Sequence, residues 1–387
     1  MNRNGDIFIS RRQVLAGSVA AAFAGCLGLP GRAQAAEDLK VGAVASLSGP
    51  ASAFGKDWAE GFQVYVKSWN ERGGVKGRKI AIELVDDEST PANAVNAFRR
   101  LASRPDTSVI WIALASQTAL GIKAVSDEFK VPVISGGGVD SLGRPPSPWF
   151  FKIAPGGSDY VAAVIQFAKA KKFARIASLH ATDAIGQADK QWILEFAGKA
   201  GIEVVAQETF ALTDTNFTSQ LVKIRAAKPD LIYNGATANP AILVFKQVKQ
   251  LEMTTPMILS QAAINRAFYQ AIGGPAEAEG FYSVISVGAL AAEMGGETAR
   301  IFERLSQALG RPAILFHTFG WDTGILTEWA ANNSDGSRQG LRDAIERAKE
   351  LPAINGPLNF SAVDHIGQDA RGLVMAQLKG GKFVKVA

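Results

Sequence analysis

Short runs of apolar and β-branched residues alternate along most of this chain with longer stretches whose apolar residues return every three or four positions. The short runs predict strands at 39–46, 80–86, 108–114, 131–135, 175–180, 202–208, 230–234, 256–260 and 280–286. The longer stretches predict helices at 55–72, 91–103, 117–129, 157–170, 187–200, 216–227, 239–251 and 264–273. In the first of these, Phe62, Val66 and Trp69 stand at i, i+4 and i+7 and so share one helix face. Thr90 and Asn216 stand at helix starts, Pro91 suits a first helical turn, and Gly73-Gly74 and Gly201 end helices. The C-terminal third adds helices over 296–309, 315–331 and 338–348. A strand pair follows, 372–378 and 382–386, about the turn Gly380-Gly381.

Repeated β-α units of this length imply parallel sheets covered by helices on both faces. The strands before residue 290 are too many for one compact sheet. The predicted fold is therefore α/β, with two doubly wound parallel-sheet lobes. The Pro/Gly-rich stretch 143–157 (GRPPSPWFFKIAPGG) follows the fourth strand and reads as the first crossing between them. Ligands in such sheets bind beyond the carboxyl ends of the strands, at helix N-termini. The loops at those ends are 46–50 (SLSGP), 115–118 (ASQT), 136–139 (GGGV), 181–186 (ATDAIG), 235–239 (GATAN) and 261–265 (QAAIN). Free N–H groups and hydroxyls at helix starts suit an anion such as a carboxylate. Taken one at a time, such residues cap helices more often than they bind ligands. It is the collective pattern that points to a site.

Composition narrows the class. With 387 residues, 47% hydrophobic and 20% charged, the chain is an ordinary globular protein with room for a large core. One cysteine, Cys26, excludes an intramolecular disulfide and a cysteine zinc site, and the three histidines (His180, His317, His365) have no metal-ligand spacing. No nucleophile elbow, phosphate loop or G-x-G-x-x-G after the first strand is present. Asp86-Asp87-Glu88 ends a strand and reads more readily as a solvated loop face than as a metal or acid–base cluster. His180, at a strand end, reads as a structural or ligand-lining residue. The expectation is a binder with no catalytic residues, metal or cofactor.

The first 35 residues are composed differently. Ser10-Arg11-Arg12-Gln13-Val14-Leu15 precedes an Ala/Gly-rich apolar stretch and then Ala33-x-Ala35, the layout of an export signal with twin-arginine character. Phe23-Ala24-Gly25-Cys26 is a competing lipoprotein-like signal that would leave Cys26 acylated. Either route gives an extracytoplasmic, periplasmic protein, free or lipid-anchored through Cys26. This segment holds four of the 41 basic residues and one of the 36 acidic ones, so its removal reduces the net charge from +5 to +2. What remains is scattered among acids, and a nucleic-acid partner loses its electrostatic basis.

The motifs at 41–55 (VGAVASLSGPASAFG), 71–78 (ERGGVKGR) and 83–87 (ELVDD) resemble the type I periplasmic solute-binding proteins of ABC importers, the Leu/Ile/Val-binding subgroup above all. So do 131–135 (VPVIS), 233–235 (YNG) and 354–358 (INGPL), and the resemblance runs over 38–387. It implies a monomer of two α/β lobes joined by three crossings, near Ala154, Ser286 and Phe360, with a ligand cleft between them. One lobe would take 36–154 and 287–359, the other 155–286 and 360–387. Closure would capture a small organic solute and present it to the membrane subunits of an ABC permease. A periplasmic sensory module is the alternative, and a periplasmic enzyme a more distant one.

The resemblance places an aromatic residue over the ligand at Phe54 and carboxylate-holding groups at Ala115, Ser116, Gln117 and Thr118. Gly138 and Val139 stand where the family offers a threonine, and Ile185 stands for a cleft aromatic residue. Thr237 and Ala238 replace an aromatic pair, and Gln261 stands near the family's ammonium-binding acid. A buried ammonium needs a carboxylate or several acceptors. The pocket therefore reads as favouring small or aromatic carboxylates or amides, with Asp183 as the one acid that keeps an amino acid in play. Ser89 and Leu114 occupy the positions of the family's disulfide.

Overall fold

The computed structural model describes residues 38–386 except 114–115, 237 and 261–265. The segment read as an export signal, with Cys26, lies outside the described residues, as do Ala115, Thr237 and Gln261. No described helix is long and apolar enough to cross a membrane.

Two sheets form. The first contains β1 (Leu39–Ala45), β2 (Ile80–Asp86), β3 (Thr107–Ile112), β4 (Val133–Ser135) and β5 (Phe150–Lys152), in the order β2-β1-β3-β4-β5 and all parallel. The second contains β6 (Arg175–Ala181), β7 (Glu203–Phe210), β8 (Leu231–Asn234), β9 (Met257–Leu259), β10 (Tyr282–Ser286), β11 (Leu373–Lys379) and β12 (Lys382–Lys385), in the order β12-β11-β10-β9-β8-β6-β7. Its first five strands are parallel, and β11 and β12 are antiparallel additions at one edge. The two-residue turn between them dictates that sense, because parallel strands need a long crossover. Gly380 and Gly381 have φ of 56° and 75°, the left-handed pair such a tight hairpin requires.

Every strand expected from the sequence is present, with ends within two residues. One was missed: β5, whose three residues lie inside the stretch read as a crossing. Its neighbours Pro145 and Pro148 hid it, since prolines argue against a strand.

Helices connect the strands: α1 (Ser52–Glu71), α2 (Pro91–Ala102), α3 (Ser116–Ser126), α4 (Gly157–Ala170), α5 (Ala184–Ala200), α6 (Thr218–Ala226), α7 (Ala238–Gln250) and α8 (Arg266–Ile272). Four more follow β10: α9 (Ala291–Met294), α10 (Gly296–Leu309), α11 (Leu315–Asn332) and α12 (Arg338–Arg347). These return to the first sheet. Phe319, Trp321 and Leu326 of α11 share one buried cluster with Trp58, Phe62, Tyr65 and Trp69 of α1, under β1 and β3. The second sheet has its own clusters on its two faces.

The chain thus passes between the sheets three times. The first passage is 153–156 and the second is 287–290. The third comes later than Phe360. The Phe360 ring still packs on Phe151 at 5.7 Å, Ile366 bridges Lys152, and Gly367 N–H donates to the Lys152 carbonyl at 2.6 Å. The segment therefore stays beside β5, and the third passage runs over 368–372. The missed strand β5 is the reason for the early placement.

Candidate functional site

The loops at the carboxyl ends of the strands are held in place by buried or half-buried polar groups. After β1, the Ser46 hydroxyl donates to Asp87 Oδ1 at 2.6 Å, and the Leu47 and Ser48 N–H groups donate to Asp86 Oδ1 at 2.9 and 3.2 Å. Burial works to raise the Asp86 pKa, but N–H bonds from Glu88, Leu47 and Ser48 outweigh it and hold the group below the ordinary carboxylate range. The Ser89 hydroxyl donates to the Ser48 carbonyl at 2.7 Å and accepts from Ala51 N–H at 3.0 Å. The acidic run is therefore a scaffold for the first loop. Ser89 pins the same loop by hydrogen bonds.

That loop delivers Phe54 into the first turn of α1, half-buried. Its ring meets Phe316, from the start of α11, edge to face at 4.8 Å. Phe316 had no signal in the sequence, which offered only one more apolar residue at a helix start. Offset aromatic pairs of this kind present a firm apolar wall.

Ser116 opens α3 half-buried, and its hydroxyl accepts the N–H of Gly138 at 2.9 Å. The loops after β3 and β4 therefore meet where the sequence expected carboxylate-holding groups. The others diverge from one another. Gln117 is exposed, Thr118 is buried on the packed face of α3, and Val139 packs against the cluster beneath β3 and β4.

In the second half, Asp183 caps α5: its Oδ1 accepts Gly186 N–H at 2.8 Å. This is the cap role that a lone Asp before a helix most often has. Ile185, in the first turn of the same helix, is 37% exposed. Ala238 is the first residue of α7.

Beneath these loops the structure places ionisable groups that the sequence did not connect. The Tyr233 hydroxyl donates to Asp189 Oδ2 at 2.9 Å, with both residues buried. Burial pushes Asp189 up to about 7; the Tyr233 bond opposes this, and the charges of Asp140 and Asp183 add to it. His180 is fully buried 5.8 Å from the Tyr233 ring, and neither ring nitrogen has a hydrogen-bond partner among the described residues. Burial, and then the charge of Lys190, brings its pKa down to about 4. His180 is thus uncharged at neutral pH. Asp140, just after Val139, accepts the Ser158 N–H at 3.2 Å and so links the β4 loop to the start of α4.

Among the described residues, one trio has metal-like proximity: Asp57, Glu60 and His317 place ligand atoms within 4.8 Å of one another. The hydrogen bonds give it a different reading. His317 Nδ1 accepts the Ile314 N–H at 3.0 Å, so the neutral ring carries its proton on Nε2, which faces Glu60 Oε2 at 3.0 Å. Arg311 meets the same carboxylate at 2.5 Å. A cation would have to displace the proton and face the guanidinium, so the trio is an ion-pair network joining α1 to α11.

Residues 38–382 match the family described as periplasmic binding protein. Among similar proteins, the Leu/Ile/Val-binding protein homolog 3 of Brucella melitensis biotype 1 is 25% identical over 255 residues, 65% of this chain and 68% of that one. A solved solute-binding protein of an ABC transporter from Rhodopseudomonas palustris, in complex with benzoate, superposes with a TM-score of 0.76 at 23% identity, covering 90% of this chain and 96% of that one. A branched-chain amino acid transporter substrate-binding protein from Streptococcus pneumoniae, in complex with isoleucine, gives 0.77 at 19% identity, covering 90% and 100%. With a family match over nearly the whole described chain, and two parallel-dominated sheets of the type I architecture, this chain belongs to the periplasmic binding proteins, among the relatives of the Leu/Ile/Val-binding group.

Proposed function

We propose that this protein is an extracytoplasmic solute-binding component of an ABC importer. It captures a small organic carboxylate between its two halves and hands it to a membrane permease. The observation that carries this reading is the meeting of Ser116 and Gly138 at the N-terminus of α3, taken with the Phe54–Phe316 pair at the starts of α1 and α11. A helix start with a hydroxyl suits a carboxylate, and the aromatic wall suits an apolar body.

An aromatic or other carboxylate without an ammonium group fits best. The acid expected to receive an ammonium, Asp183, is engaged in capping α5, and Asp189 is buried against Tyr233. The benzoate-bound relative supports this choice, and the isoleucine-bound one keeps amino acids in the test. A thermal-shift screen of aromatic carboxylates, branched-chain amino acids and amides decides it. A ligand at 100 times its Kd adds about 2.7 kcal/mol to native stability. Stabilisation by aromatic carboxylates is expected; no stabilisation by any class refutes solute capture, and stabilisation by amino acids alone refutes the ligand class. Export through the twin-arginine-like segment, with or without acylation of Cys26, belongs to the same proposal, and the mass of the N-terminus isolated from cells reads it directly.

A further inference from the structure

The second and third passages converge on one buried side chain. The Asp322 carboxylate, on α11 and fully buried, accepts Ile354 N–H at 2.8 Å, Asn355 N–H at 3.0 Å, Asn355 Nδ2 at 2.8 Å and Gln368 Nε2 at 3.2 Å. Asn355 Oδ1 accepts the hydroxyl of Ser286, the last residue of β10, at 2.5 Å. The Ser286 hydroxyl in turn accepts the N–H of Gly288, within the second passage, at 3.3 Å. Gln368 opens the third passage. One carboxylate on the first-sheet half thus holds, directly or through Asn355, both strands of chain that leave for the second sheet.

Backbone packing there is as close as it can be. A Cβ on Gly288 would lie 2.2 Å from Asn355 Oδ1, and one on Gly372 would lie 2.3 Å from the Asn355 carbonyl oxygen. Only glycine lets both passages press on Asn355 from opposite ends. A buried polar network of this kind favours one geometry, because a displacement strands its buried donors; within it, Gln368 Oε1 has no partner among the described residues. Secondary structure alone would not require such a node. Asn355 reaches back 69 positions to Ser286, and Asp322 reaches forward 46 positions to Gln368.

We propose that Asp322 and Asn355 form the pivot on which the second and third passages turn, making Asn355 a positioning residue for solute capture that touches no solute. This rests on the reading that the two halves close on a ligand, yet its test needs no ligand. Spin labels are placed on cysteines introduced at Lys67 and Lys199, whose side chains are 73% and 70% exposed on α1 and α5, in the full chain carrying Cys26→Ser. Pulsed electron resonance then reads the distance between the halves without solute. Asn355→Ala is expected to displace or broaden the distribution by several ångströms, and Ser286→Ala to do so to a smaller degree. Leu101→Ala, in the cluster on the opposite face of the first sheet, which includes no residue of α11 or of 354–358, is the control for general loosening and is expected to leave the distribution in place. Circular-dichroism melting verifies folding, and if Asn355→Ala does not fold, Ser286→Ala decides. An unchanged distribution in the folded variants overturns the pivot, as does an equal change in the Leu101→Ala control. A failed solute screen with a displaced distribution would refute solute capture and leave the pivot standing.

Discussion

Replacing Asp189 by Asn isolates the energetic consequence of burying a carboxylate beside Tyr233. Asn keeps the shape, and its Oδ1 can still accept the Tyr233 hydroxyl, so the perturbation removes the charge and little else. Burial, the largest influence, takes Asp189 from 3.8 to about 7 in the folded chain. A group whose folded pKa is raised lends its stability at low pH and loses it as pH climbs towards the folded value. Below pH 3.8 the acid is neutral in both states, and Asn and Asp should behave alike. Between 3.8 and 7 the unfolded chain ionises and the folded one resists. At 1.36 kcal/mol per pKa unit, the native state then forgoes about 1 kcal/mol by pH 4.5 and about 4 kcal/mol by pH 8. Asp189→Asn should therefore be more stable than the parent by about those amounts at those pH values. Urea unfolding followed by tryptophan fluorescence, run on both proteins across this range, measures the gap directly. Titrations elsewhere in the chain cancel in the difference, and the repulsion from Asp140 and Asp183 is already contained in the shift to about 7. A gap that does not grow with pH, or that favours the parent at pH 8, would refute the argument that burial dominates at this site.

Two further outcomes are expected. Ser116→Ala removes the hydroxyl that accepts Gly138 N–H and, in our proposal, faces the carboxylate; binding of the solute found by the screen should weaken by about 1 kcal/mol or more in calorimetric titration, and unchanged affinity would remove Ser116 from the site. Lys152 is wholly buried, with Nζ donating to the Ala154 and Pro155 carbonyls at 2.5 Å each, and burial draws its pKa down to about 7 against the pull of Asp140 and Asp159. Its contribution to stability is present above pH 10.5 and is lost as pH falls through 7, so Lys152→Met should flatten the rise in stability between pH 7 and 10; an unaltered slope would contradict the burial argument.

The strands were legible because each is a short apolar run between amphipathic helices, a contrast of periods that survives in one dimension. The residues around β5 lack that contrast: Phe150, Phe151 and Lys152 follow three prolines, and only pairing with β4 makes them a strand. The misplacement of the third passage follows from the same gap, since the residues that lie along β5 could not be assigned to it.

The candidate site divides in the same way. Sequence pointed to the loops at the strand ends, since a parallel sheet puts its helix N-termini there whatever the side chains. It could not say which polar residues remain available. Asp183 is engaged by its own helix, Thr118 is covered, Asp86 and Asp87 hold the first loop, and Phe316 reaches Phe54 from 262 positions away.

Local pattern was enough for the α/β class, the order of elements and the doubling into two sheets. Those properties depend on neighbours within a helix or strand length. Which carboxylates are buried, which hydroxyls meet and where the passages are anchored depended on residues such as Asp322, Asn355 and Ser286 coming together. Their bonds form only when distant segments are packed out of water, where an unpaired polar group is costly and so each finds a partner.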